Sequence, residues 1–160
     1  MESTKKIVIL GSFGVGKTSL IRRFVTNEFT TDYKVTIGVH VLKKEVQIGE
    51  NKISLILWDL EGTDDLQKIN RAYLSGAHGY IYVFDLKRPS TYTNIDSDLV
   101  FLKESYNCNL IKVVGNKVDL LTEEEYKNIK TSGLNLDFLS SAKSGDNVED
   151  LFNSIAKDLM

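Results

Sequence analysis

Short apolar runs alternate along the chain with segments in which apolar residues recur at helical spacing. The runs predict strands over about 5–10, 38–48, 52–59, 80–84, 111–115 and 134–139. The helical spacing predicts helices over about 17–25, in part of a loop at 60–75, from Ile95 to Tyr106, after Thr122, and from Val148 to Leu159. Strands that alternate with helices in this way favour a mostly parallel α/β sheet.

Turn and capping signals refine this prediction. Gly49-Glu50-Asn51 separates the second and third predicted strands and is typical of a hairpin, so that pair is antiparallel. Thr122 followed by Glu125 forms the capping box of a helix that Gly133 can end. We therefore predict an α/β fold with a six-stranded, mostly parallel sheet, one antiparallel edge strand and about five flanking helices.

Composition limits the classes of protein to which the chain can belong. With 160 residues, 42% hydrophobic and 26% charged, and without repeats or low-complexity linkers, residues 1–160 are expected to form one domain. With a net charge of -2, the chain lacks the excess of basic residues that is typical of nucleic-acid-binding proteins. Cys108 is the sole cysteine, which fits a reducing compartment, and no signal peptide, membrane span or lipidation motif is evident. We expect a cytoplasmic protein with no membrane anchor encoded in this chain.

The stretch Gly11–Thr18 reads G-x-x-x-x-G-K-T and lies between the first predicted strand and the first predicted helix. This is the context of a phosphate-binding loop, in which glycines let backbone N–H groups approach a polyphosphate. Lys17 would reach the β- and γ-phosphates, and the Thr18 hydroxyl would bind Mg²⁺. The alternative is a chance glycine-rich turn, which the flanking strand and helix disfavour.

Three further loops follow predicted strands: Asp59-Leu60-Glu61-Gly62, Asn116-Lys117-Val118-Asp119 and Ser141-Ala142-Lys143. Together with the phosphate-binding loop and Thr36, they fall in the order of the five signature loops of a Ras-superfamily small GTPase, which the whole chain resembles. The segments Thr36–Val39, Trp58-Asp59 and Tyr73–Gly79 resemble the Rab branch most. The resemblance implies the P-loop G-domain fold, with GTP or GDP as the bound nucleotide and Mg²⁺ as the cofactor.

The resemblance also implies which residues bind the nucleotide: Gly14, Val15, Gly16, Lys17, Thr18, Ser19, Phe29, Tyr33, Thr36, Gly62, Asn116, Lys117, Asp119, Ser141, Ala142 and Lys143. The Asp119 carboxylate can accept hydrogen bonds from the N1–H and the exocyclic amine of guanine. Adenine lacks this donor pair, so ATP would leave the carboxylate unpaired. The alternative for Asn116–Asp119 is a solvated turn. Phe29 and Tyr33 could instead be packing or partner-facing aromatic residues, and for Tyr33 the two interpretations remain open.

By the same resemblance, Thr18, Thr36 and Asp59 are the metal-binding residues. Asp59 could otherwise be a helix-capping aspartate. Thr36 and Gly62 would contact the γ-phosphate and release it on hydrolysis, which makes an order–disorder switch. The catalytic group implied by the resemblance comprises Lys17, Thr36, Gly62 and Thr63.

Two residues depart from the family pattern. Thr63 stands where most Ras and Rab proteins carry the glutamine that orients the attacking water, and its hydroxyl is too short to do the same. Phe13 stands at a position usually glycine or small, where its ring would crowd a partner's arginine finger. Together the two departures predict slow intrinsic hydrolysis and resistance to activating proteins that rely on a glutamine of this chain. Other residues of the acidic loop, Glu61, Asp64, Asp65 and Gln67, could position water, although a solvated acidic loop is the simpler interpretation.

These features are compatible with three functions. The first is a GTP/GDP switch with GTP hydrolase activity, whose loops at about 28–38 and 60–70 bind effectors. Its expected partners are these effectors, an exchange factor and a GTPase-activating protein. The second is a GTP-locked binding scaffold with negligible turnover. The third, a different P-loop enzyme such as an ATPase or nucleotide kinase, is disfavoured by the guanine loops. We expect a monomer that reaches membranes through partners.

Overall fold

The computed structural model describes residues 3–30 and 36–160. Its strands are β1 (Ser3–Leu10), β2 (Val39–Ile48), β3 (Asn51–Leu60), β4 (Gly79–Asp85), β5 (Ile111–Asn116) and β6 (Phe138–Leu139). Its α-helices are α1 (Lys17–Thr26), α2 (Arg71–Leu74), α3 (Ile95–Tyr106), α4 (Glu123–Thr131) and α5 (Val148–Asp158). Short 3-10 turns lie at Leu66–Lys68, Pro89–Thr91 and Val118–Leu120.

The six strands form one sheet in the order β2-β3-β1-β4-β5-β6. Only the edge pair β2 and β3 is antiparallel within the described part of the chain, and the other neighbours run parallel. The predicted fold class is therefore confirmed. Because β1, β3, β4 and β5 are parallel, their carboxyl ends meet at one edge of the sheet, where ligands bind in such folds.

Alternation along β1 separates the two hydrophobic layers. Ile7 and Ile9 face one core with α1 and α5, whereas Val8 and Leu10 face a second core with α3. Phe24 of α1 and Phe152 of α5 stack with ring centroids 4.1 Å apart, which joins the two helices of the first layer. The helices thus cover both faces of the sheet and leave its carboxyl edge to the loops.

The predicted capping box is present. Thr122 Oγ1 accepts a hydrogen bond from the Glu125 N–H, and Glu125 Oε1 accepts one from the Thr122 N–H, both at 3.1 Å. The last predicted strand, 134–139, is wrong in extent, because only Phe138–Leu139 pairs with β5. Leu134 and Leu136 instead pack against the second core from irregular backbone. Within residues 3–30 and 36–160 we find no helix with the length and apolar character of a membrane span.

Candidate functional site

A cavity of about 360 Å³ opens where the loops after β1, β3, β5 and β6 converge. Most of the predicted nucleotide-binding residues line it: Gly14, Gly16, Lys17, Thr18, Ser19, Phe29, Thr36, Gly62, Asn116, Lys117, Asp119, Ala142 and Lys143. Residues more than a hundred positions apart in sequence therefore meet around one concave surface, which is the usual form of a small-molecule site.

The other predicted site residues lie next to this cavity or outside the described chain. Val15 is buried behind it, and Ser141 is buried beneath Asp119. Asp59 is buried and accepts a hydrogen bond from Thr18, which lines the cavity. Thr63 lines a smaller neighbouring cavity. Tyr33 falls within 31–35, outside the described residues.

The phosphate-binding loop leads directly into α1. Gly16, with φ of +101°, precedes Lys17 and provides no side chain to cap the helix. A Cβ at Gly16 would fall 2.3 Å from Asn116 Nδ2, so only glycine fits between the loop and β5. The first N–H groups of α1 are thus left for a ligand, and the positive end of the helix dipole favours an anion there.

Lys17 is the buried cation of this loop, with 6% of its surface exposed. Its Nζ donates to the carbonyls of Gly11 and Ser12, each at 3.0 Å. Loss of hydration lowers its pKa to about 8, and the Asp59 carboxylate partly offsets that effect. A polyphosphate beside the ammonium group would favour its charged form.

The residues expected to bind Mg²⁺ lie together. Thr18 Oγ1 donates to Asp59 Oδ2 over 2.6 Å, and the hydroxyl oxygens of Thr18 and Thr36 are 2.8 Å apart. Among the described residues, the buried Asp59 Oδ1 has no hydrogen-bond partner. Burial raises the pKa of Asp59, so a cation there would restore its charged form. A carboxylate and two hydroxyls are hard oxygen donors, and this set fits Mg²⁺.

The loops after β5 and β6 form the opposite end of the cavity. Asn116 Nδ2 donates to the Val15 carbonyl at 2.9 Å, and Lys117 Nζ donates to the Gly14 carbonyl at 2.8 Å. Ser141 Oγ donates to Asp119 Oδ1 at 2.8 Å, which fixes the carboxylate. Asp119 itself is exposed at the cavity mouth, where it can meet an incoming base.

Sequence reasoning missed Arg23, which joins α1 to the loop after β6. Its Nε donates to the Ala142 carbonyl at 2.8 Å, and its Nη2 donates to the Lys143 carbonyl. The two carbonyls belong to residues that line the cavity. A basic residue in the last turn of a helix is typical of helix ends, so this contact has no distinct signal in the sequence.

The loop after β3 lies directly against the phosphate-binding loop. A Cβ on Gly62 would fall 2.5 Å from Phe13 Cα, and the Thr63 N–H donates to the Gly11 carbonyl at 3.2 Å. The Thr63 hydroxyl is used locally, because it donates to the Asp65 carbonyl and accepts from the Asp65 N–H. The Phe13 side chain is 52% exposed and borders the cavity beside Gly62.

The acidic residues of that loop also have local partners. Asp65 Oδ1 accepts from the Gln67 N–H and caps a 3-10 turn. Glu61 bonds to Gly38 through its backbone N–H, at 2.8 Å, and accepts from the Gly38 N–H through its side chain, at 3.3 Å. Glu61 therefore links the segment after Thr36 to the loop after β3.

Known proteins are similar to this sequence over nearly its whole length. A model of the Ras family matches residues 6–160. The chain is 35% identical over 162 residues to "Ras-related protein Rab-13" of Mesocricetus auratus, covering 97% of this chain and 79% of that protein. It is also 35% identical to "Ras-related protein Rab-7b" of Paramecium octaurelia (95% and 79% covered) and to "GTP-binding protein ypt3" of Schizosaccharomyces pombe (96% and 75% covered).

Proposed function

The chain belongs to the Ras family of small GTPases and is Rab-like, and from this we propose that it is a GTP/GDP switch that uses Mg²⁺ and hydrolyses GTP slowly. One observation carries the proposal. A single cavity brings together the Lys17 ammonium, the uncapped start of α1 and the Asp119 carboxylate. Cation and helix start suit a polyphosphate, and the carboxylate suits a base with two adjacent donors.

The phosphate-binding loop and the start of α1 would bind the phosphates. Lys17 already donates to two backbone carbonyls, and these weak acceptors would be exchanged for phosphate oxygens. Thr18, Thr36 and Asp59 would hold Mg²⁺, which when bound neutralises phosphate charge. The contact between the hydroxyls of Thr18 and Thr36 supports a role for Thr36 in closing the site around the nucleotide.

Asp119 would select the base. Its carboxylate, oriented by Ser141, can accept both the N1–H and the exocyclic amine of guanine. Lys117 and Lys143 line the cavity, and their aliphatic stems can cover the two faces of the base. Arg23 holds the loop that presents Ala142 and Lys143, so it would act as a positioning residue.

Effector binding is assigned to the loops at about 28–38 and 60–70. The bonds between Gly38 and Glu61 connect the described parts of these loops, which supports a coupled response to the nucleotide. We assign residues 1–160 to one G domain that acts as a monomer in the cytoplasm and reaches membranes through partners. An exchange factor, effectors and an activating protein are the expected partners, and nucleic acid is not.

Slow hydrolysis is supported by the surroundings of Thr63. A water-orienting side chain must reach both the water and the γ-phosphate, whereas the Thr63 hydroxyl bonds to Asp65 in its own turn. Phe13 borders the space that a partner's arginine finger would enter. The surroundings of Thr63 favour a low intrinsic rate of hydrolysis, and the position of Phe13 favours resistance to an activating protein that inserts an arginine.

Thr63→Gln is therefore expected to raise the rate constant of GTP hydrolysis by about 10-fold, because an amide can reach and orient water where a short hydroxyl cannot. The measurement is single-turnover hydrolysis of bound GTP. Thr63→Ala is the matched control and should change the rate by less than about threefold, since it removes only the local bonds to Asp65. A loss of tenfold or more in Thr63→Ala would show that the threonine itself positions water.

The proposed function is tested on the wild-type chain by chromatography of the nucleotide released on denaturation, followed by single-turnover hydrolysis with Mg²⁺. We expect bound GDP and slow, measurable turnover, and faster GDP release when EDTA removes the metal. Retained GTP with almost no turnover would identify the GTP-locked scaffold instead. Equal competition by ATP would point to a different P-loop enzyme, and the absence of guanine-nucleotide binding would overturn the proposal.

A further inference from the structure

The loop after β4 reaches the phosphate-binding loop through Arg88. Its Nη1 donates to the Phe13 carbonyl at 2.9 Å. Two neighbouring carbonyls are held in the same way, Gly14 by Lys117 and Val15 by Asn116. Three consecutive peptide groups of the loop therefore each have a side-chain donor on the carbonyl.

These bonds fix the direction of the N–H groups. In a planar trans peptide the carbonyl and the next residue's N–H point in opposite directions. A carbonyl of Phe13 held towards Arg88 turns the Gly14 N–H away from Arg88, and Gly14 lines the cavity. Successive N–H groups aimed into one concavity form an anion-binding nest.

Arg88 is itself held in a well-defined turn. Its N–H donates to the Asp85 carbonyl at 2.9 Å, and the Thr91 hydroxyl donates to the Arg88 carbonyl at 2.7 Å. The buried Asp85 carboxylate lies 3.9 Å from Arg88 Nη1 and 2.9 Å from Lys117 Nζ. One carboxylate of β4 thus anchors both cations that hold the Phe13 and Gly14 carbonyls.

We propose that Arg88, anchored by Asp85, is a positioning residue that orients the Phe13–Gly14 peptide so that the Gly14 N–H donates to a phosphate of the bound nucleotide. This inference rests on the proposed guanine-nucleotide site and adds to it a contact from the loop after β4. Lys87, the preceding cation, points elsewhere, because its Nζ pairs with Glu125 at 2.8 Å. It provides a matched control on the same loop.

The test compares Arg88→Met, Arg88→Lys and Lys87→Met by the rate of GDP release with Mg²⁺ present. Arg88→Met should release GDP about 10-fold faster, as expected for the loss of one charge-assisted hydrogen bond that orients the loop. Arg88→Lys keeps a donor for the Phe13 carbonyl and should stay within about threefold of wild type, and Lys87→Met within about twofold. Thermal unfolding of the three variants checks that each is folded.

A spectroscopic readout separates positioning from general destabilisation. In the GDP-bound protein, the amide proton of Gly14 should move upfield in Arg88→Met, as its bond to phosphate weakens, while that of Gly16 keeps its position. GDP release within twofold of wild type, or an unmoved Gly14 resonance, would overturn the inference alone. Equal acceleration in Lys87→Met would also overturn it, because the effect would then belong to the loop in general. A wild-type chain that binds no guanine nucleotide would overturn the proposed function as well.

Discussion

Asp119→Asn is expected to lower the affinity for GDP by at least about 100-fold, because it removes two hydrogen bonds to a charged acceptor, each worth about 1.5–3 kcal/mol. The asparagine amide also places a donor against the exocyclic amine of guanine, which is itself a donor. Xanthine carries a carbonyl at that position, so the variant should gain affinity for xanthosine diphosphate. The measurement is a competitive titration of GDP and xanthosine diphosphate on wild type and variant.

Asp146→Asn is the matched control for this substitution. Asp146 is an exposed carboxylate two residues past Ser144, in the loop that also carries Ala142 and Lys143. The substitution removes the same charge and is expected to leave both affinities within about twofold, since the charge of an exposed side chain is screened by salt. If Asp119→Asn kept its preference for GDP, the carboxylate would not read the base, and the assignment of this end of the cavity would be wrong.

The position of the site could be predicted from the sequence because its signals are local. The residues Gly11–Thr18 combine a buried strand, a glycine-rich loop and a helix start within a few residues of one another. The loops that begin at Asp59 and Asn116 each follow a buried apolar run, and parallel strands bring such ends to one edge. The strand type and the sheet edge follow from these local patterns, whereas the individual site residues come from the resemblance to the Ras superfamily.

The contacts that hold the site together could not be predicted in the same way. Arg23 and Ala142, or Phe13 and Arg88, are distant in sequence, and their pairing depends on how helices dock on the sheet. The predicted extent of β6 was wrong for a related reason. Apolar alternation over 134–139 indicates which side chains turn towards the core, and Leu134 and Leu136 are partly buried against it without strand pairing.

The second large effect is expected for Lys17→Met, which should lower nucleotide affinity by at least about 100-fold, because the ammonium group would make charge-assisted bonds to two phosphates. The nucleotide-free variant should keep a Tm within a few degrees of wild type. Two bonds to backbone carbonyls are lost, but the chain no longer buries an ammonium group.

Lys17→Met is expected to lose nucleotide affinity while the nucleotide-free protein keeps its stability. Thermal unfolding with and without GDP separates these two effects. A 100-fold loss of affinity reduces the stabilisation by saturating GDP by about 2.7 kcal/mol, which corresponds to a rise in Tm that is smaller by roughly 5–10 °C. Lys87→Met, which removes an exposed cation paired with Glu125, should retain the full rise. The opposite result would be a lower Tm without nucleotide and the full rise in Tm on adding GDP. It would mean that Lys17 only supports the loop. The combination we expect, an unchanged starting Tm and a reduced rise, places the Lys17 ammonium on the phosphates.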